Sequence, residues 1–365
     1  MKKQIAVLAV LATPLASAME MKMPTVYGKI NKAYVNVDQE QNVAKTRNDK
    51  SNAGIVEVLN SVSRVGVKGS ESVDGGITAS YKLELGLDST NDSVALRNAE
   101  VSLKHSYGTL LIGQTYNPFS VVGLGADPMA SNIAGHQGAD MAQYVAQASS
   151  LKTNLGTQGI GFTYRGRVDG ATYTTPELMG FTYTISQDKD GKNERETNTE
   201  NHTEHLLSYK RAISGLDLNL YAGMGSWSQT GTKDNKEMLY GLGLTKNAFK
   251  FNAALSSSET KNVGNTFSYE IERTFVAASY SMDKHNIALT YQTREDKNFD
   301  NTKDSKYKTT QMAVGYKHQC TKNIDLNLTY AKLEIENETT GATSDDKKNN
   351  GNDATLIAAG IQLKF

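Results

Sequence analysis

The sequence predicts an all-β protein, a sixteen-stranded antiparallel barrel that crosses a membrane, with short turns at one rim and long loops at the other. Three observations support this prediction. Polar and apolar residues alternate along many short segments, short and long connections alternate between those segments, and no stretch after residue 18 is apolar enough for a spanning helix. In hydrocarbon every backbone N–H and C=O needs a partner, and a sheet provides this without an open edge only when it closes.

Alternation is clear in the segment where Leu216, Leu218 and Leu220 are separated by Asp217 and Asn219. Comparable alternation recurs at 81–87, 249–255, 287–291, 312–317 and 324–330. Successive strand residues point to opposite faces, so each segment has one apolar and one polar face. A sixteen-stranded barrel is too wide for side chains to fill. The apolar faces are therefore expected to meet lipid and the polar faces to line water.

The connections between these segments fall into two length classes. Short turns are expected at 70–76, 105–108, 176–180, 213–216, 246–248, 282–285 and 318–323. Longer polar loops are expected near 38–53, 88–92, 117–156, 187–203, 228–236, 257–268, 294–306 and 336–353. Seven turns and eight loops require sixteen strands, and this layout is typical of bacterial transmembrane barrels, with the turns on the periplasmic side.

The N-terminus has the pattern of an export signal. Lys2 and Lys3 precede an apolar run at 5–15, and small residues at 16–18 fit a signal-peptidase site. The apolar run is too short to span about 30 Å of hydrocarbon as a helix, which disfavours an uncleaved anchor. We expect residues 1–18 to be a cleavable signal peptide and residues 19–365 to form a single barrel domain.

Composition and motifs exclude several function classes. The 39 basic and 39 acidic residues give a formal net charge of zero, which argues against a nucleic-acid partner. The single cysteine, Cys320, cannot form an intrachain disulfide. A metalloprotease motif, a phosphate-binding loop and a dinucleotide fingerprint are all absent from the sequence, so we expect no cofactor and no metal. An outer-membrane hydrolase is disfavoured because His205 and Ser208, three apart in a strand, point to opposite faces.

The C-terminal segment ends in an alternating strand with a terminal aromatic residue. Ile361, Leu363 and Phe365 share one face with Ile357 and Ala359. This pattern matches the terminal strand by which outer-membrane barrels are recognised for assembly. We therefore assign Ile361, Leu363 and Phe365 to an assembly signal read by the barrel-assembly machinery.

Several segments carry a resemblance to a known family. They are YGKI at 27–30, the SRVGVKGSESVDGG segment within 63–87, LRNAEVSLKHSYGTLLIGQTYNPF at 96–119, RVDGATYTTPELMGFTY at 167–183, and the final strand. In these segments the chain resembles the trimeric Gram-negative general porins, most closely the branch of proteobacteria such as Neisseria and Bordetella. The resemblance implies a homotrimer in outer-membrane lipid and lipopolysaccharide that passes ions and small hydrophilic solutes by passive diffusion. The four basic and two acidic constriction candidates given below predict a weak preference for anions.

The resemblance also implies a constriction. In that family the third loop folds back into the lumen, with acidic residues on the loop facing basic residues on the wall. Here the loop corresponds to residues 118–156, and a loop of this length is uncommon unless it is functional or disordered. Asp127 and Asp140 are the candidates for its acidic side.

Four positions match the basic side of the constriction in that family. They are Lys29, Arg64, Arg97 and Arg167, with Arg165 as the competitor for Arg167. Alternation places Arg64 on a polar face, opposite Val65. It places Arg97 on the apolar face, so either that wall meets a neighbouring subunit rather than lipid or this assignment of faces is wrong.

Two further functions stay open from the sequence. A substrate-specific porin would need an aromatic path through the constriction, for which the third loop offers Phe119 and Tyr144. A structural or adhesive role would depend on the loops, where the acidic segments 88–92 and 343–346 could bind a divalent ion.

Overall fold

Antiparallel strands make up almost all of the structure, a computed structural model that describes residues 23–43, 46–57, 63–73, 75–88, 93–130, 166–189, 199–229, 232–262, 268–298, 305–339 and 352–365. Its elements are β1 (Thr25–Val43), β2 (Thr46–Glu57), β3 (Ser63–Val73), β4 (Ile77–Asp88), β5 (Ser93–His105), β6 (Gly108–Tyr116), α1 (Pro118–Ala126), β7 (Arg167–Thr174), β8 (Phe181–Lys189), β9 (Thr199–Ile213), β10 (Leu216–Gln229), β11 (Thr232–Lys246), β12 (Phe249–Asn262), β13 (Ser268–Met282), β14 (His285–Lys297), β15 (Lys306–Gln319), β16 (Ile324–Asn337) and β17 (Asn352–Lys364). Among the described residues, no helix is both long enough and apolar enough to cross a membrane.

The sheet closes on itself with sixteen strand positions. Neighbouring strands pair antiparallel around the barrel, and β17 pairs with β1. β2 and β3 share one position because both pair with β1, where Lys32 lies opposite Glu57 and Lys29 lies opposite Arg64. The seventeen segments therefore form a sixteen-stranded barrel, which confirms the predicted fold class.

The two faces of the wall differ as alternation predicts. Leu289, Met312 and Leu328 are 52%, 58% and 53% exposed, whereas Gln292 and Thr329 on the opposite face are buried. In a transmembrane barrel the apolar side chains lie on the outer face, against lipid. The buried polar set faces the lumen.

All seven predicted short turns join strands at one rim. Their described residues are 75–76, 106–107, 175–180, 214–215, 247–248, 283–284 and 320–323. In three of the two-residue turns the first residue has positive φ: Ser214 at 50°, Asn247 at 53° and Asp283 at 49°. Two-residue hairpins favour this conformation because it matches the twist of the strands, and Asn and Asp tolerate it well.

Several predicted loops are shorter than the sequence suggests. The loop expected at 38–53 consists largely of strand, because β1 runs to Val43 and β2 begins at Thr46. The loops expected at 228–236, 257–268 and 294–306 are shortened in the same way. Strands that continue into water beyond the bilayer keep their backbone pairing but do not need an apolar face, so hydrophobic alternation does not detect them.

The last strand closes the barrel and ends beside the first. Gly28 N donates to Phe365 O at 2.9 Å, and Phe365 N donates to Gly28 O at 3.1 Å. The Phe365 ring lies over Gly28, where an added Cβ would sit 2.3 Å from Phe365 Cζ. Ile361, Leu363 and Phe365 are exposed on the outer face. Their part in assembly remains a prediction.

Candidate pore constriction

The third loop begins by turning into the barrel. It starts after β6 with α1, whose N-cap Asn117 accepts a hydrogen bond from Ser120 N at 3.0 Å. Phe119, in the first turn of α1, is completely buried. It packs within a cluster of inward-facing side chains from β9 to β13: Leu206, Tyr221, Leu239, Ala254, Phe275 and Ala277. The described part of the loop therefore lies against the inner wall of the barrel.

A glycine on that wall makes room for the Phe119 ring. A Cβ at Gly223 would lie 2.4 Å from Phe119 Cε1 and 2.7 Å from Cζ. Any larger residue at Gly223 would push the ring out of its place. The close approach of α1 to β10 thus depends on having a glycine, which has no side chain, at position 223.

Polar contacts hold both ends of the loop. Glu204 on β9 accepts hydrogen bonds from Asn117 Nδ2 through Oε1 and from Phe119 N through Oε2, the latter at 3.0 Å. Asn117 N donates to Gly166 O at 3.2 Å, and Gly166 N donates to Ser120 Oγ at 3.0 Å. The start of the loop is therefore tied both to the wall and to the residue just before β7.

Beyond α1 the chain reaches a second part of the wall. Met129 is fully buried in an apolar cluster formed with inward-facing residues of β1 and β14–β17. Asp127 is buried, and its Oδ1 accepts a hydrogen bond from Met129 N at 2.8 Å. Of the two predicted acidic residues, Asp127 thus lies on the inward-folded segment, and Asp140 lies outside the described residues.

On another part of the inner wall, basic side chains gather around one carboxylate. Glu84 on β4 is buried, and its Oε1 lies 3.0 Å from Arg64 NH1 and 2.9 Å from Arg97 Nε. Its Oε2 accepts a hydrogen bond from Tyr27 Oη at 2.9 Å. Lys29 lies directly across from Arg64 in the β1–β3 register, on the same face. We call this group, together with Tyr116 and Arg167, the basic wall.

Tyr116 links the remaining arginine to the group. Its hydroxyl accepts hydrogen bonds from Arg167 NH2 and, at 3.5 Å, from Arg97 NH2. The Arg167 guanidinium also stacks over the Tyr116 ring, 4.3 Å from its centroid. The structure thus brings all four predicted basic residues into one connected group, and Arg165, the competitor of Arg167, lies outside the described residues.

A β-bulge resolves the conflict over Arg97. Leu85 lies opposite Leu96 and Glu84 lies opposite Asn98, so Arg97 is an extra residue on β5. The assignment of Arg97 to the apolar face is therefore wrong. A bulge places two successive residues on one face, and here both Arg97 and Asn98 are buried on the inner side, whereas Leu96 is exposed on the outer side.

Sequence reasoning missed three members of this group. Glu84, Tyr27 and Tyr116 are not among the residues that the sequence predicts for the constriction. Their roles depend on the pairing of β1 with β3 and of the strands from β3 to β7, which no local pattern reveals. The signal that was available for Glu84 is its place between Leu83 and Leu85, which sends it inward.

Comparison with known proteins agrees with this geometry. Residues 5–340 match the Gram-negative porin family. Outer membrane porin protein 32 of Delftia acidovorans is 31% identical over 182 residues, which cover 45% of this chain and 49% of that protein. The chain thus aligns with about half the length of this curated relative.

Solved structures give the same fold over nearly the whole chain. The anion-selective porin from Comamonas acidovorans has a TM-score of 0.66 at 19% identity, covering 94% of this chain and 99% of that one. The trimer form of OmpT from Vibrio cholerae has a TM-score of 0.59 at 13% identity, covering 94% of this chain and 99% of that one. With a closed sixteen-stranded barrel and a family match along most of its length, the chain belongs to the Gram-negative porins and is a protein of the outer membrane.

Proposed function

We propose that this porin forms a water-filled channel through which ions and small hydrophilic solutes diffuse passively, with a preference for anions. The observation that carries the proposal is that the third loop folds into the barrel and that the inner wall also carries the basic wall. Residues 118–156 are the constriction loop in this proposal. The channel has no catalytic step.

Charge on the basic wall supports the preference for anions. The guanidinium groups of Arg64, Arg97 and Arg167 outnumber the single carboxylate of Glu84, and Lys29 lies beside them. Arg64 keeps 21% of its side chain exposed, so its charge is offered to solvent. Charges on the wall of a narrow, low-dielectric passage focus the field and enrich ions of opposite sign.

Other parts of the proposal rest on the relatives. The similar OmpT of Vibrio cholerae has a trimer form, which supports a homotrimer here. The relative from Comamonas acidovorans is described as anion-selective. Contacts with lipopolysaccharide, recognition of Ile361, Leu363 and Phe365 by the barrel-assembly machinery, and removal of residues 1–18 are further proposals, the last of which mass spectrometry of the purified protein tests.

The alternatives receive less support. An aromatic path through the constriction would need rings that face the lumen, but Phe119 is buried against the wall, and Tyr144 lies outside the described residues. A hydrolase with its active site on the barrel wall would need His205 and Ser208 on the same face of β9. Alternation along β9 points them to opposite faces. The acidic segments at 89–92 and 343–346 also lie outside the described residues.

Planar-bilayer recording tests the proposed channel. We expect ohmic conductance in steps of three and a zero-current potential under a salt gradient whose sign reports anion preference. Arg64→Ala should reduce the anion-to-cation permeability ratio several-fold, because it removes one positive charge from the passage.

Lys322→Ala is the matched control, since Lys322 is an exposed residue in the turn between β15 and β16. It removes the same charge far from the basic wall and should leave the ratio unchanged. A cation-selective wild-type channel, or saturable block by one solute, would contradict the general anion-preferring pore.

A further inference from the structure

A second charged cluster lies on the inner wall at the root of the third loop. His202 and Glu204 on β9 meet Glu237 on β11, and the side chains of all three are at most 1% exposed. Asp188 on β8 lies on the far side of the imidazole, with its side chain 3% exposed. We propose that His202, Glu204 and Glu237 bind a divalent transition-metal ion, with Zn²⁺ the best match.

The distances between the three side chains suit one ion. His202 Nε2 is 2.9 Å from Glu237 Oε1 and 3.5 Å from Glu204 Oε1. One ligand atom from each residue lies within 4.8 Å of the other two. Zinc–ligand bonds of about 2.1 Å separate two ligand atoms by about 3.0 Å at a right angle and about 3.4 Å at a tetrahedral angle. The two measured separations from Nε2 are close to these values.

Asp188 orients the histidine as a metal ligand. Its Oδ1 lies 2.9 Å from His202 Nδ1, a distance that suits an Nδ1–H group donating to the carboxylate. In that tautomer Nε2 directs its lone pair toward the oxygens of Glu204 and Glu237. Metal-binding histidines commonly donate their other N–H to a carboxylate in this way, which fixes the ring and raises its basicity. A cation between this lone pair and the two carboxylate oxygens would interact favourably with all three groups.

The charge balance of the cluster points the same way. Three carboxylates converge on one imidazole, and the buried Arg273 on β13 also interacts electrostatically with Glu237. Even with His202 doubly protonated, the three carboxylates would outnumber the two positive charges of His202 and Arg273. Buried charge is costly unless it is paired or coordinates a metal, and a divalent ion supplies the missing positive charge.

The donor set selects the kind of ion. One imidazole nitrogen and two carboxylates suit Zn²⁺ and its first-row neighbours. Ca²⁺ and Mg²⁺ prefer shells made of oxygen alone. Trp227 meets the His202 ring edge-on, with centroids 6.4 Å apart, and supplies an apolar side to the site.

The ion would act on the constriction through Glu204. The same carboxylate accepts hydrogen bonds from Asn117 and from Phe119 N, the first residues of the third loop. A carboxylate has about four lone-pair positions, so Glu204 can keep both hydrogen bonds while it binds a metal. Metal at this site would stiffen the attachment of the loop to β9.

Metal content of the purified full-length porin tests the proposal. We expect the wild type, loaded with Zn²⁺ and washed with a weak chelator, to retain one Zn²⁺ per chain by elemental analysis. Glu237→Gln and His202→Gln should each lower retention at least tenfold because each removes one ligand. Loading with Co²⁺ should give the visible absorption of a nitrogen- and oxygen-bound ion in the wild type and not in these variants.

Glu272→Gln is the matched control, since Glu272 is an exposed glutamate on β13, two strands away from β11. Lipopolysaccharide also holds divalent ions, so the measurement is the difference between Glu237→Gln and Glu272→Gln. Equal Zn²⁺ in those two variants, or no retained Zn²⁺ in the wild type, would overturn the site and leave a protonated His202 to balance the cluster. Because channel conductance is recorded separately, such a failure would not affect the proposed function.

Discussion

Two charged regions of one inner wall are used in opposite ways. The basic wall keeps part of Arg64 in contact with water and carries an excess of positive charge around Glu84. The cluster of Asp188, His202, Glu204 and Glu237 is buried at the root of the third loop and carries an excess of negative charge. The contrast teaches that access to water separates the two roles. Charge open to the lumen acts on passing ions, and charge beneath the loop holds the loop in place.

The largest effect should come from breaking the apolar anchor of the loop. Phe119→Ala removes a fully buried ring from the cluster on β9–β13, and large-to-small changes of this kind cost about 3–5 kcal/mol. We expect a lower unfolding temperature on heat-modifiability gels and a larger single-channel conductance, since the loop loses its place on the wall.

Phe249→Ala provides the control for this change. Phe249 is exposed on the outer face of β12, so its loss removes a ring of the same size without touching the loop. Equal changes in conductance for the two variants would show that Phe119 does not hold the constriction.

A smaller effect is expected from the polar anchor. Asn117→Ala removes the cap of α1 and the donor to Glu204, and loss of an N-cap costs about 1 kcal/mol. The unfolding temperature should fall less than in Phe119→Ala, and current noise from loop motion should rise. Asn286→Ala, which removes an exposed hydrogen bond to Ser281, should change neither quantity.

Opposite changes at the basic wall should move selectivity in opposite directions. Glu84→Gln removes its one carboxylate and should raise the anion-to-cation permeability ratio, whereas Arg97→Ala should lower it. Unit charges 4 Å apart interact by about 1 kcal/mol in water, which corresponds to a several-fold change in the ratio. Zero-current potentials measure the permeability ratio of each variant. Shifts of the same sign would mean that the field of the basic wall does not set selectivity.

Salt concentration should affect the basic wall and the buried cluster differently, and this comparison needs no mutation. The Debye length falls from about 10 Å at 0.1 M to about 3 Å at 1 M, and buried pairs are screened far less than exposed ones. The permeability ratio should therefore approach unity at high salt while the unfolding temperature changes little. An unfolding temperature that follows the permeability ratio would indicate that the loop anchor is open to solvent.

Much of the fold was predictable because it depends on local patterns. Alternation located the strands that cross the bilayer, and residues such as Asn247 and Asp283 marked the turns. The strand extensions beyond the bilayer were missed because residues 38–43 and 46–53 form paired strands although their sequence has no alternating apolar pattern. For the basic wall, the resemblance supplied the four basic positions, but Glu84, Tyr27 and Tyr116 were found only in the structure.

By itself the sequence determined the barrel class, its sixteen strands and the face of most wall residues. It could do so because polar and apolar residues alternate within each strand, and this pattern does not depend on the other strands. Only the tertiary structure decided which side chains meet across strands. The bulge that turns Arg97 inward has no local signature, and His202 and Glu237 meet through the pairing of β9, β10 and β11. The register of each strand depends on its neighbours in the sheet. The two charged regions of the inner wall therefore form only when the strands pair into the closed barrel, and no single segment contains them.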